Sequence, residues 1–416
     1  MEIYLVGGAV RDQLLNRPVV EQDWVVVGAT PEQLIERGYK PVGKDFPVFL
    51  HPESHDEYAL ARTERKTGQG YHGFDCYFAP DVTLEEDLAR RDLTINAMAQ
   101  SADGEIIDPY NGLADLKARQ LRHVSSAFVE DPLRVLRVAR FAARYHYLGF
   151  SIASETLALM RQLASGTELQ ALTPERVWKE TEKALTEQSP QVYFEQLHAV
   201  GALAVIFPEI DKLWGIPSSS QSASRMDAGL HAMSVLQQAA QLSESTLVRF
   251  AALCHDIGND ASQLHARANP QAQESPGVTT IKKMAKRLKI PNQFRQIACI
   301  TREFYAICHR AFELTPEQLI ATLESLGAYR QPEQLQQFLL ASEAEFRGHT
   351  GSTKKPYPQR QLLSSIALAT ASIDSQPLLQ AGLKGAEIGD AIREQRIEIA
   401  ADIKSKLTTV HTQTQD

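Results

Sequence analysis

Cysteine is scarce in this chain. Cys76, Cys254, Cys299 and Cys308 are scattered over 416 residues, and no two form a CxxC pair. That argues against a disulfide framework or a structural zinc, and it fits a reducing cytoplasm. Long apolar runs are missing too. None is long enough to span a bilayer, so no membrane partner is expected. The opening Met1-Glu2-Ile3-Tyr4 has no basic region of the signal-peptide kind and already reads as a strand. Positive charge is not in excess: 43 Lys and Arg against 51 Asp and Glu give a net charge of -8. That argues against a generally basic RNA binder, whereas a local basic stripe is enough for nucleic acid. No internal repeat is visible, and no obligatory protein partner is evident.

What remains is ordinary for a soluble globular protein, with 43% hydrophobic and 23% charged residues. The length leads to an expectation of about two to four domains. Residues 1 to 110 read as α/β. Strands are expected at Ile3–Val6, Trp24–Val27, Val48–His51, Tyr58–Arg62, Cys76–Ala79 and Glu105–Ile107, and helices at Arg11–Leu15, Pro31–Arg37 and Leu84–Met98. Thr63–His72 carries Gly68 and Gly70 and reads as a mobile loop. From Pro132 the pattern turns helical, at Pro132–Tyr145, Ser154–Leu163, Pro174–Glu187 and Val192–Ala199. Gly215–Arg225 and Gly348–Pro358 read as linkers, Asn259–Gly277 as a polar loop, and Thr408–Asp416 as a frayed end.

The densest chemistry lies at the start. Leu5-Val6-Gly7-Gly8-Ala9-Val10-Arg11-Asp12 is an apolar strand running into a Gly-Gly turn, followed by Glu21 and Asp23 at the head of a second apolar strand. Positions i and i+2 of a strand share a face, so both acids reach one site. Two hard oxygen ligands beside a glycine turn suit Mg²⁺ holding a nucleoside triphosphate. Gly8 lets backbone approach phosphate, and Arg11 can pair with it. The bland alternative is a turn with two solvated acids. Gly7-Gly8 and Arg11 beside the pair favour the functional reading.

Two further segments concentrate arginine. Arg90-Arg91-Asp92-Leu93-Thr94-Ile95-Asn96-Ala97 lies on or just before a helix. Its arginines suit triphosphate, or else pair with Glu85, Glu86 or Asp87 a turn earlier. In Glu130-Asp131-Pro132-Leu133-Arg134, Asp131 reads as a helix N-cap and Pro132 as the first helical residue. Arg134, Arg137, Arg140 and Arg144 then recur on one helical face with no acid among them, which suggests bound phosphate or bases.

These segments, together with Asp108-Pro109-Tyr110-Asn111-Gly112 and Thr173-Pro174-Glu175-Arg176-Val177-Trp178-Lys179-Glu180, resemble the class II tRNA nucleotidyltransferases, the CCA-adding enzymes, and their relatives the bacterial poly(A) polymerases. The motifs stand in the family's order across the first half of the chain. The second half looks like the body and tail of the bacterial multifunctional type with an HD domain. The resemblance implies an α+β head, a DNA-polymerase-β-like mixed sheet, followed by all-α neck, body and tail. Expected boundaries are 1–122 for the head, 123–214 for the neck, 226–347 for the body and 348–416 for the tail.

The resemblance also implies roles. Glu21 and Asp23 match the metal acids and bind catalytic Mg²⁺. Gly8, Arg11, Arg91, Arg137 and Arg140 match positions that hold the nucleotide. Asp131 and Arg134 match the base-reading pair. Cytosine and adenine both show an amino donor beside a ring-nitrogen acceptor, so one acceptor and one donor fork admit CTP and ATP and reject U and G. The implied partner is tRNA, through its 3′ end and acceptor arm. Phe74–Asp87 and the loop before it resemble the family's flexible C-to-A switching loop, which argues against a CC-only enzyme. Rival readings are a poly(A) polymerase, a tRNA-binding protein with an inactive site, and a stand-alone phosphohydrolase.

A second motif, Cys254-His255-Asp256-Ile257-Gly258 with His231 upstream, has the HD pattern. Its completion is missing. Leu264–Gln271 lacks the family's His-Gly-His, Asn259 replaces a Lys, and Tyr305-Ala306 stands where relatives show His and Asp. Three ligands, His231, His255 and Asp256, make a degenerate site. The resemblance implies a second metal there, Ni²⁺ or Mn²⁺, which this ligand set disfavours.

Overall fold

The computed structural model describes residues 1–42, 48–66, 74–217, 226–258 and 275–413. The chain divides into two compact units, Met1–Ile206 and Phe207–Asp416.

In the first unit, β1 (Glu2–Val6) runs through Gly7 into α1 (Gly8–Leu14) and returns as β2 (Asp23–Val27). Then come α2 (Pro31–Glu36), β3 (Lys40–Pro41), β4 (Val48–Leu50), β5 (Glu57–Leu60) and the hairpin of β6 (Thr63–Lys66) and β7 (Phe74–Tyr77). After α3 (Leu84–Ala89) the strands β8 (Ala99–Gln100) and β9 (Ile106–Ile107) follow. Seven strands form one mixed sheet in the order β3-β4-β5-β2-β1-β8-β9. β2 pairs antiparallel with β1 and parallel with β5. The period of two sorts the side chains. Val6, Val25 and Ala61 pack with Leu88 and Ala97 on one face, and Val26, Tyr58 and Leu60 pack with Leu34 on the other.

The expected helix over Leu84–Met98 is broken in the structure. α3 stops at Ala89, and Leu93 is extended and bridges to His123. The buried Asp92 carboxylate takes the Leu93 N–H and the Asn96 amide, which favours a turn over a continued helix. α4 (Gly112–Ala118) follows; Asp108 caps it by accepting from Gly112 N at 2.6 Å and Leu113 N at 2.8 Å. Strand β10 (Gln120–Leu121) pairs with β11 (Ser151–Ile152). Between them lies α5 (Leu133–Tyr145), and α6 (Ser154–Ser165), α7 (Pro174–Thr186), α8 (Gln191–Ala199) and α9 (Ala202–Ile206) complete the unit.

The second unit is helical throughout its described residues. It comprises α10 (Pro208–Asp211), α11 (Ala228–Leu242), α12 (Thr246–Leu253), α13 (Pro276–Arg287), α14 (Asn292–His309), α15 (Pro316–Ser325), α16 (Pro332–Gly348), α17 (Pro358–Thr370), α18 (Gln376–Gln380) and α19 (Ala386–Gln413). Val235, Ala251, Leu323, Phe338 and Leu362 share its core. Two expectations are corrected here. Gly277 lies in the first turn of α13 rather than in a loop, because Ser275 caps Val278 N and Pro276 opens the helix. The final helix continues to Gln413, and the Thr408 and Thr409 hydroxyls bond back to the carbonyls of Lys404 and Ser405. Thr63–Lys66, expected as the start of a loop, is instead strand β6, held by its antiparallel pairing with β7; the rest of that loop from residue 67, the linker from 218 to 225 and the polar segment 259–274 lie outside the described residues.

Candidate active site

The end of β1 organises the first site. Gly7 has φ of +70° and donates its N–H to the Met98 carbonyl at 3.1 Å. A β-carbon there would stand 2.6 Å from Arg91 Nη1. Glycine is therefore required twice, by its backbone and by its neighbour. At Gly8 the nearest atom to an added β-carbon is Arg11 Nη2 at 3.3 Å.

Val6 pairs with Asp23 across the sheet, so the acid stands beside the glycine turn. Asp23 is the first residue of β2, and Glu21 lies just ahead of the strand; both are exposed. Burial of its surroundings raises the Asp23 pKa, Arg91 opposes the shift and Glu21 reinforces it. The two acids therefore sense each other. Two adjacent carboxylates in mutual repulsion are a donor set that fits a hard divalent cation. Sequence reading missed Glu57, which pairs in register with Asp23 from β5 and so leaves the sheet on the same face. Nothing in the local spacing marks it, since it is 34 positions from Asp23.

The arginines are not free of acids, as the α5 pattern alone suggested. Their partners come from other elements. Arg137 Nε donates to Asp92 Oδ2 at 2.8 Å. Arg140 Nε donates to Glu180 Oε2 at 2.7 Å, with Glu187 at 3.8 Å. Arg144 reaches Asp12 at 3.4 Å. Arg90 and Arg91 both close on Asp87, at 2.8 and 3.3 Å, which is the pairing expected if these arginines serve their own helix. Arg11 is 3% exposed and bidentate on Asp12, and it also donates to Asn96 Oδ1. Its guanidinium lies over the rings of Tyr145 and Phe141. Arg11 and Arg140 are thus buried in ion pairs, whereas Arg137 and Arg91 keep partial exposure.

Asn96 joins these pieces. Its side chain accepts from Arg11 and donates to Asp92, and its carbonyl accepts from Arg91 at 3.4 Å. Burial alone would raise the Asp92 pKa. Arg137, the Asn96 amide and Arg134 overrule it and hold the carboxyl well below its usual range.

Asp131 and Arg134 stand at the start of α5 but do not bond to each other. The Asp131 carboxylate accepts from Leu133 N at 3.1 Å and from Arg176 at 3.0 Å. The helix begins at Leu133, one residue later than expected, with Pro132 in the capping position. Arg134 donates to the carbonyls of Ala127 and Arg90. It therefore ties the head of α5 to the residue before Arg91.

In the second unit His231, His255 and Asp256 are all buried. The His255 ring lies 5.2 Å from the His231 ring. His255 Nδ1 meets the Ala252 carbonyl at 2.7 Å, and Nε2 is 3.6 Å from Asp256. Burial lowers the His255 pKa and favours the neutral ring. Tyr305 donates to Asp256 Oδ1 at 3.2 Å. Sequence reading missed Glu345, His349 and His309, which gather around His231. The i, i+4 spacing of Glu345 and His349 at the end of a helix was the available signal.

Three domain families match in series. Residues 3–122 match the Poly A polymerase head domain. Residues 149–213 match the probable RNA and SrmB-binding site of polymerase A, and residues 229–323 match the HD domain. Among solved structures the chain is similar to the Bacillus stearothermophilus CCA-adding enzyme in complex with CTP, at 23% identity and a TM-score of 0.66, covering 99% of this chain and 94% of that one. A Thermotoga maritima CCA-adding enzyme complexed with tRNA is 19% identical with a TM-score of 0.63, covering 98% and 91%. A CCA-adding enzyme with ATP gives 19% and 0.65, covering 96% and 86%. No described helix is long and apolar enough to cross a membrane. The chain is a nucleotidyltransferase with a Poly A polymerase head, an RNA-binding segment and an HD domain, in the fold of the CCA-adding enzymes.

Proposed function

We propose that this chain is a CCA tRNA nucleotidyltransferase, which adds and repairs the 3′-terminal CCA of tRNA from CTP and ATP without a nucleic-acid template. The observation that carries the reading is the hydrogen bond from Arg134 to the Arg90 carbonyl. The start of α5 thereby meets the residue before Arg91, whose guanidinium lies against Gly7 and acts on Asp23. This supports a reading in which phosphate and base are recognised in one pocket. The ligands named for the similar structures, CTP, ATP and tRNA, support the same reading.

Glu21 and Asp23 would hold Mg²⁺, which when bound neutralises triphosphate charge and makes the tRNA 3′-hydroxyl more acidic. Arg91 and Arg137 orient the phosphates, and Gly8 keeps the turn open for them. Arg11 and Arg140 act from below, fixing α1 and α5 through Asp12 and Glu180. The 3′-oxygen bonds to the α-phosphorus, the α–β bridge breaks and pyrophosphate leaves. Asp131 accepts the amino group of cytosine or adenine while Arg134 donates to the ring nitrogen. For that, the Arg134 fork must turn from a backbone carbonyl to the base.

We assign head, neck, body and tail to 1–122, 123–214, 226–347 and 348–416, and place the protein in the cytoplasm, which fits four cysteines none of which forms a disulfide. Product length on a sequencing gel tests the reading. A tRNA lacking its last three nucleotides, given CTP and ATP, should grow by CCA and stop. A two-nucleotide product would indicate a CC-adding enzyme, and a long adenosine tail a poly(A) polymerase.

A further inference from the structure

We infer that the outward face of α13 binds the phosphate backbone of the tRNA substrate, which makes this part of the second unit an RNA platform. The inference rests on the tRNA reading proposed above. No Asp or Glu occurs from Ser275 to Arg302, whereas seven Lys and Arg do, in a chain with a net charge of -8. Arg302 is buried and donates to the Ile257 carbonyl, so it serves the core. The other six, Lys282, Lys283, Lys286, Arg287, Lys289 and Arg295, are exposed. At 3.6 residues per turn, the first five fall within half the circumference of α13 and its C-terminal turn. Val278, Ile281, Met284, Ala285 and Leu288 take the opposite side and are buried.

Local geometry holds this face in place. At the end of α13, Ile290 N bonds back to the Ala285 carbonyl at 2.9 Å. Within that closing turn Lys289 has φ of +50°, a left-handed position that favours glycine. A cation therefore stands there against the backbone preference. α14 packs on α13 and adds Arg295, which donates to Asn292 Oδ1. Glu209 pairs with Arg287 at 2.7 Å, which makes Lys283 and Lys286 the better probes of the face. Lysine ammoniums are point charges without a fixed fork, so they suit phosphate oxygens whatever the base. A membrane surface fits less well, because a helix lying in a bilayer needs its apolar side free, and that of α13 is spent on the core. The last helix has the opposite sign. Glu387, Asp390, Glu394, Glu398 and Asp402 recur at helical spacing along α19 and are exposed. A polyanion is drawn to α13 and repelled by α19.

The test is the affinity of the full-length protein for tRNA lacking its 3′ CCA, measured by filter binding over a series of salt concentrations. Lys283→Gln with Lys286→Gln should lower the slope of log affinity against log salt by about 1 per lysine, and weaken binding about tenfold or more near 0.1 M salt. In CCA addition this variant should show a raised KM for tRNA, with kcat at saturating tRNA and the KM for CTP unchanged. Lys283→Arg with Lys286→Arg should bind as wild type does. Lys384→Gln with Lys406→Gln removes the same charge beside Glu387 and Asp402, and should leave affinity and slope unchanged. Wild-type affinity and slope in the first variant, or an equal loss in the tail variant, would overturn the inference and leave the proposed function standing. So would a first variant that keeps its tRNA affinity but loses a salt-sensitive self-association, which would assign α13 to the acidic α19 of a second copy. Wild-type protein that neither binds nor extends tRNA would overturn the proposed function, and this inference with it.

Discussion

Arg91 lies against the backbone of Gly7, with its Nη1 2.6 Å from where any β-carbon would be. Two motifs 84 positions apart in the chain are interlocked at this point. Gly7→Ala should therefore displace the guanidinium and strain a backbone with φ of +70°. The backbone term alone costs about 1–2 kcal/mol. Nucleotide incorporation should fall sharply. Gly8→Ala should be milder, because its backbone is not in the left-handed region and the nearest atom, Arg11 Nη2, stands 3.3 Å away rather than 2.6 Å. Urea melts and single-turnover incorporation of both variants check this ordering. Equal activity for the two would contradict it.

Arg134→Ala should relax base selectivity. Each lost hydrogen-bonded contact removes about 1–3 kcal/mol of discrimination. The ratio of kcat/KM for CTP and ATP to that for UTP and GTP is the measure. An unchanged ratio would sink the base-reading role. Arg176→Ala leaves Asp131 without one of its partners, and should shift nucleotide KM more than it shifts that ratio.

Asp92 is a buried acid whose folded pKa lies well below its usual range through Arg137, Asn96 and Arg134, against the effect of burial. Its unfolded value is about 3.9. A depressed acid stabilises the fold fully above the unfolded pKa and loses that contribution as pH falls through the folded one. Asp92→Asn should cost about 1–3 kcal/mol at neutral pH, since Arg137 loses its nearest partner but keeps solvent and Glu180. Below about pH 4 the gap to wild type should narrow. Urea unfolding from pH 7 downward measures it, and a gap that stays constant would refute the assignment.

At the HD doublet, Tyr305 occupies one oxygen of Asp256. Hydrolysis of 2′,3′-cyclic phosphate ends should be weak or absent with Ni²⁺ or Mn²⁺. CCA addition should survive His255→Ala, provided the variant folds. Metal-dependent hydrolysis that vanishes in His255→Ala would show a working phosphohydrolase.

Much of this was legible from local pattern. The glycine turn, the strand beginning at the acids and the arginine-lined helix depend on neighbours within a few residues, where periodicity and capping operate. What escaped depends on long-range pairing. Asp92 meets Arg137 across 45 positions, and Glu180 meets Arg140 across 40, so α5 looked like an uncompensated cationic face. The break after Ala89 was hidden because Leu84, Leu88, Ile95 and Met98 keep a helix-compatible apolar spacing. The buried side-chain bonds of Asp92 decide against it. Glu345 and His349 lie far along the chain from the His255-Asp256 doublet, and only helix packing carries them to His231.

The most direct measurement is transfer of label from α-labelled CTP to tRNA lacking its 3′ end, with pyrophosphate release followed in parallel. Wild-type protein with Mg²⁺ should transfer cytidylate and release one pyrophosphate per nucleotide added. Asp23→Ala should bind the same tRNA nearly as well and do neither. Transfer at the wild-type rate by Asp23→Ala, or no transfer to tRNA by folded wild type, would contradict a nucleotidyl-transfer site at the end of β1.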